Sequence, residues 1–290
     1  MPTGIIFALI ALVGWGFGDF FIQRATRAMG SWKALFFIGA IGAVVLFPFV
    51  AHDVYAVWSS GYNKFLIIGA SFLVLIAAMF DFEAMRAGKI AIIDPIIGAE
   101  LPITVSLSAW LLHENLKPEQ STLVLVVFVG IVLAATTQWQ HLHYHKRVLE
   151  RGVLLAAVAA VGMAVTNVLM ASFSRSFSPL LALWFLHTGF ALLLLVYAWA
   201  EGSLHELWTA AKQHPKLILA ESIFDNGAWL AYAYAVTHIP VAIAVAISES
   251  YIALAVLLGL FLNRERIRRH QLAGIVLAIL GVIALAVMTE

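Results

Sequence analysis

Apolar residues run along this chain in long unbroken stretches rather than in alternation. The stretches lie near 4–24, 33–51, 64–85, 90–112 and 121–137, then near 152–173, 180–200, 217–236, 241–262 and 271–288. A helix needs roughly 20 mostly apolar residues to cross a bilayer, and about ten such windows are present. Barrel strands would alternate over about ten residues, so the pattern predicts an all-α membrane protein. The connections are short and polar. Two of them carry an apolar turn with helical spacing and a tryptophan, Val54-Val57-Trp58 and Leu204-Leu207-Trp208. Both suit the headgroup layer.

The second half echoes the first. Superposing the two sets of stretches puts Val105, Leu107, Leu111, Glu114, Gln120 and Gly130 on Val256, Leu258, Leu262, Glu265, Gln271 and Gly281. Gly14 and Asp19 fall on Gly162 and Asn167. Apolar matches are cheap in such a composition; the Glu, Gln and Gly matches carry the repeat. The predicted organisation is a five-helix repeat over 1–140, a connecting loop over 141–150 and a second repeat over 151–290. An odd number of spans per half inverts one half relative to the other, and inverted repeats place a site near the midplane between them.

Composition narrows the function. The chain has 290 residues, 63% of them hydrophobic and 11% charged, with a net charge of +1. Soluble domains are about half apolar and a quarter charged. Neither the net charge nor any basic aromatic patch points to nucleic acid. The absence of cysteine excludes disulfides and thiol nucleophiles. No Walker A loop, no His-Glu-x-x-His and no defensible Ser/His constellation is present, so direct ATP drive and membrane-embedded hydrolysis are disfavoured. No cofactor or metal is expected; His141, His143 and His145 read as a solvated linker. The first apolar run has no basic residues before it and reads as a retained span. Counting Lys and Arg on alternate sides leaves Lys64, Lys117 and Arg175 on one side and all the others, including Arg264, Arg266, Arg268 and Arg269, on the opposite side. The positive-inside rule then places both termini outside the cytoplasm of an inner (plasma) membrane protein.

Several short patterns occur in a fixed order. Gly14-Trp15-Gly16 lies in the first span and Glu83-Ala84-Met85-Arg86-Ala87 ends the third. Glu100-Leu101-Pro102 in the fourth is followed by Leu112-His113-Glu114, echoed by Glu249-Ser250-Tyr251 and Asn263-Arg264-Glu265. Over nearly the whole chain this resembles the EamA type of the drug/metabolite transporter superfamily. The resemblance implies alternating-access transport through a central cavity lined by spans one to four and six to nine, with five and ten peripheral. It leaves the substrate open, since members handle amino acids, nucleotide sugars, phosphorylated sugars or drugs. His113 and Arg264 stand where the family often has glycine, and Ser250 where it often has proline. Members commonly place both termini in the cytoplasm, which runs against the charge count.

Eight of the 16 acidic residues fall in or near spans: Asp19, Asp81, Glu83, Asp94, Glu100, Glu221, Asp225 and Glu249. An acid at mid-membrane costs about 2.5–3.5 kcal/mol on insertion scales, so such residues usually face a polar route. Spans five and ten hold no acid, which fits a peripheral position. Glu221 and Asp225 share a helix face; two neighbouring desolvated carboxylates resist ionising together, making them candidate proton carriers with Asp19 or Glu249. Glu221, near a span start, equally fits headgroup water. Glu100, flanked by Pro95 and Pro102 that break the helix, is the strongest site candidate. Asp81 and Glu83 point to different faces, and Glu83 is the one taken to line the cavity. Asn167 matches Asp19 in depth. Trp15, Trp229, Tyr232 and Tyr251 suit a cation–π contact, though aromatics of this kind more often pack between helices. His187 is open between a proton relay and a hydrogen-bonded core histidine.

Together these features predict a secondary transporter of a small metabolite or drug, with proton-coupled export of a cationic or zwitterionic solute. The alternative is a uniporter or exchanger of a neutral or zwitterionic metabolite, with the acids structural. An enzyme or channel is the reading from another class. The expected partners are a small-molecule solute, the lipid bilayer and protons, not nucleic acid. Gly14, Gly18, Gly39, Ala43, Gly274 and Ala278 have small-xxx-small spacing, compatible with a monomer or a homodimer.

Overall fold

The computed structural model describes residues 3–59, 64–87, 93, 96–135, 146–254 and 268–289, with backbone only for 58, 59 and 146–150. Asp94, Pro95, the three linker histidines, Arg264 and Glu265 lie outside the described residues. The described chain is helical: α1 (Thr3–Met29), α2 (Ser31–Ser59), α3 (Lys64–Ala87), α4 (Glu100–Leu111), α5 (Pro118–Ala135), α6 (Lys146–Ser176), α7 (Pro179–Ala200), α8 (Leu204–Gln213), α9 (Pro215–Ala235), α10 (Val241–Ser248) and α11 (Arg269–Met288).

Local chemistry sets the helix ends. Gly30 takes a φ of 93°, a left-handed conformation that side chains resist, and turns α1 directly into α2. Ser178 caps α7 by accepting from the Leu181 amide at 3.2 Å, and Pro179 supplies the preset φ of the first helical position. Large apolar side chains remain on the outside: Phe49, Phe65 and Trp199 are each at least 70% exposed. Such a surface is untenable in water and natural in lipid.

Among the described residues, seven helices are long and apolar enough to span a bilayer: α1, α2, α3, α5, α6, α7 and α11. The remaining stretches behave differently, so length and apolarity do not by themselves return the expected ten. α9 carries Glu221, Asp225 and Asn226 along its length. The fourth and ninth stretches are broken. In the fourth, Ala99 and Leu101 donate to the carbonyls of Ile96 and Gly98, three residues back. In the ninth, Ser250 and Ile252 donate to Ile247 and Glu249 in the same way. These are repeat-equivalent positions with the same tight turn. Pro95 and Pro102 had been expected to make the break, yet the ninth stretch breaks without a proline there. The Val54-Val57 segment is also not a separate turn, because it continues α2. The segment at Leu204 is a short helix, α8; exposed Trp208 lies 4.8 Å beneath Lys212, and Glu206 bonds Lys33 at 2.7 Å.

The two halves pack reciprocally. α1 lies along α9, and α3 along α6, so the first long helix of each half meets the third long helix of the other. A Cβ on Gly14 would stand 2.8 Å from Ala228 Cβ, and one on Gly162 2.7 Å from Ala77 Cβ. α2 packs on α7, and α5 on α11. In the last pair Gly130 faces the Ala278 backbone and Gly274 the Ala134 backbone, closer than any side chain permits. Of the small-residue positions, Gly14, Gly18, Gly39 and Gly274 thus serve contacts within one chain.

Candidate functional site

Between the halves lies a cavity of about 70 Å³. α1 contributes Trp15 and Asp19, and α3 contributes Asp81. The broken fourth and ninth stretches bring Glu100, Glu249 and Tyr251. α6 brings Asn167, α7 His187, and α9 Asp225 and Trp229. No residue of α5 or α11 lines it. The tight turns explain how two of the acids reach it: Glu100 is the first residue after one turn and Glu249 sits in the other.

Five carboxylates therefore face one space, those of Asp19, Asp81, Glu100, Asp225 and Glu249, with no lysine or arginine among the described lining residues. Two of them are bonded across the halves. Asn167 Nδ2 donates to Glu100 Oε1 at 2.5 Å, and the Asp19 carboxyl is hydrogen-bonded to the Tyr251 hydroxyl. Asn167 matches Asp19 in the repeat, so both links run from the first helix of one half to the broken helix of the other.

Eight of the residues singled out from the sequence meet here: Trp15, Asp19, Glu100, Asn167, Asp225, Trp229, Glu249 and Tyr251. Two do not. Glu83 is off the cavity and bonds Arg86 Nη1 at 2.9 Å, one turn along α3; Asp81, not Glu83, lines the cavity. A helix rotates by about 200° over two residues, so only one of the two can face inward. Glu221 is fully buried and not in headgroup water, but it also does not line the cavity; both carboxylate oxygens lack a hydrogen-bond partner. It lies one turn from Asp225 on α9.

The aromatics do both things considered for them. Trp15 meets Trp229 edge-on at 5.1 Å and lies 5.7 Å from Tyr232 and 6.5 Å from Tyr251. Trp15, Trp229 and Tyr251 also face the cavity, whereas Tyr232 is enclosed behind them. Asn226 escaped the sequence reading. Its amide bonds His187 Nδ1 at 3.0 Å and the Ile38 carbonyl at 3.0 Å, joining α9 to α7 and α2. A polar side chain beside Asp225 in an apolar run was the available signal.

The EamA-like transporter family model matches residues 2–136 and again 150–287. An uncharacterized protein of Methanocaldococcus jannaschii is 27% identical over 135 residues, covering 46% of this chain and 96% of that one. A crystal structure of a protein superposes with a TM-score of 0.74 over 99% of this chain and 96% of the other, at 17% identity, which speaks to fold alone.

Proposed function

The chain belongs to the EamA-like transporter family, and on that premise we propose that it exchanges protons for a small cationic or zwitterionic solute by alternating access. As a member it is a multi-pass membrane transporter, so a small solute and lipid are its partners. It carries out this exchange in the inner (plasma) membrane, through ten spans arranged as two inverted repeats over 1–140 and 151–290.

One observation carries the reading: five carboxylates share a cavity that no described lysine or arginine enters. Carboxylates so close and so desolvated are not all ionised together. A solute cation, or protons in its place, balances them. Competition between the two is the simplest coupling, because a site that holds either cation or proton, and returns loaded with one or the other, exchanges them. Trp15, Trp229 and Tyr251 offer ring faces to the solute. Glu221, one turn beyond Asp225 and buried without a partner, extends the acidic route along α9.

The test is thermal stabilisation of the purified protein by cationic, zwitterionic and anionic metabolites at low and high pH. A ligand that binds only the folded state raises the melting temperature by mass action. Cations should stabilise, and more strongly as pH rises and protons leave the carboxylates. Stabilisation by neutral or anionic solutes without pH dependence would favour the other reading, a uniporter with structural acids. The Asn167–Glu100 and Asp19–Tyr251 bonds are what that reading draws on.

A further inference from the structure

We infer that His187 is a specificity-determining residue of the cavity, presenting Nε2 as a fixed acceptor that selects cations carrying an N–H group over quaternary ammonium ions. The inference rests on the cation reading above and names the kind of cation.

Asn226 Nδ2 donates to two backbone carbonyls, Ile38 at 3.0 Å and Ser222 at 2.9 Å. Only an NH2 group can satisfy two carbonyl oxygens, so the amide has one orientation. Its Oδ1 then faces His187 Nδ1 at 3.0 Å. An oxygen set against a bare ring nitrogen would repel it, so Nδ1 carries the hydrogen. The ring is 3% exposed and its bonded partner is a neutral amide. A neutral ring with hydrogen on Nδ1 has a lone pair on Nε2. His187 lines the cavity, and with Nδ1 committed to Asn226, Nε2 is the ring nitrogen that remains for a solute.

The link is built into three helices. A Cβ on Gly42 of α2 would overlap Asn226 Oδ1 and lie 3.3 Å from His187 Nδ1. A glycine is required there for the Asn226–His187 bond to form against α2. The ring also packs on Phe190, with centroids 4.9 Å apart. The acceptor is thereby fixed in place before any solute arrives, which is the condition for a hydrogen bond to discriminate.

Carboxylates and ring faces attract any cation. Nε2 adds a requirement: an ammonium N–H satisfies it, while a quaternary ammonium leaves the lone pair without a donor. A site built around a buried acceptor disfavours the ligand that cannot meet it.

The measurement is binding of trimethylammonium and tetramethylammonium to the purified full-length protein at neutral pH, by thermal-shift titration. Both probes carry one positive charge and only the first has an N–H. The wild-type protein should bind trimethylammonium about tenfold more tightly. His187→Phe should retain tetramethylammonium binding and bring the ratio near one, and His187→Gln, which keeps an acceptor, should restore part of it. Gly42→Ala alters no cavity-lining side chain but sets a Cβ against Asn226 Oδ1 and 3.3 Å from His187 Nδ1, so it should disturb the Asn226–His187 bond and lower the ratio as well; it decides the matter if His187→Phe does not fold. Equal wild-type affinities, or an unchanged ratio in the folded variants, would overturn the inference and leave the cation reading standing. Binding of neither probe would overturn the cation reading and this inference with it.

Discussion

Asn167 Nδ2 stands 2.5 Å from Glu100 Oε1, and this single bond ties the first helix of the second half to the broken helix of the first. Both residues are buried. Asn167→Ala removes the donor and leaves the carboxyl facing the cavity alone. Leaving a buried polar group unmet costs about 1–3 kcal/mol. A destabilisation of that size, read as a lowered melting temperature, is expected, with Asn167→Asp worse because it sets two carboxyls together.

Glu114 joins three elements. Its carboxylate accepts from the Val241 amide at 2.9 and 3.1 Å and from Arg175 Nη2 at 2.6 Å, while Arg175 Nε donates to the Val236 carbonyl. It caps α10 from another half of the chain. Glu114→Ala should destabilise by about 1–2 kcal/mol, the range of a lost helix cap. Arg175→Ala should not add to it fully, and a double-mutant cycle measures the shortfall.

The α5–α11 contact depends on Gly130 and Gly274, whose missing side chains admit the opposing backbone. Gly130→Ala should destabilise by about 1–3 kcal/mol through overpacking. Gly69 is the control. It is exposed on α3 with nothing near a Cβ, so Gly69→Ala should be neutral or stabilising by roughly 0.5–1 kcal/mol.

Asp225 faces the cavity and Glu221 lies one turn behind it. Asp225→Asn or Glu221→Gln, each in proteoliposomes, should abolish uptake driven by a pH gradient while leaving counterflow of solute for solute. Protons hold the carboxylates at low pH, so wild-type solute affinity should rise with pH and the variants' dependence should flatten. Intact proton drive in both variants would remove the pair from the coupling route.

Orientation can be measured directly. The Lys and Arg count predicts a C-terminus outside, so a C-terminal reporter active only in the cytoplasm should be silent. A bright reporter would reverse the assignment and match the usual family arrangement.

The membrane class and the repeat were legible in the chain because bilayer thickness imposes a fixed apolar length, and because a duplicated unit keeps its polar matches in order. Glu114 with Glu265 and Asp19 with Asn167 survive in an apolar background that hides most other similarity. The acids of the cavity were legible for a related reason: a carboxylate in a span is too costly to keep without a polar environment.

What the chain did not disclose depends on rotation and on neighbours. Whether Asp81 or Glu83 faces inward turns on which side of α3 meets α6 and α7, and the packing of Gly162 on Ala77 fixes that. Glu221 looked placed for headgroup water by its distance from the span start, but neighbouring helices enclose it. The role of Asn226 required three helices at once, since its amide spans α2, α7 and α9. The prolines of the fourth stretch pointed to a break there, but nothing in the ninth pointed to the equivalent turn at Glu249-Ser250. The sequence by itself determined that the chain crosses a membrane in two related halves and which acids lie in its apolar stretches, because both follow from solvent and composition. Only the tertiary structure decided which of those acids share a cavity and how His187 is oriented, because both depend on how helices distant in sequence are turned toward one another.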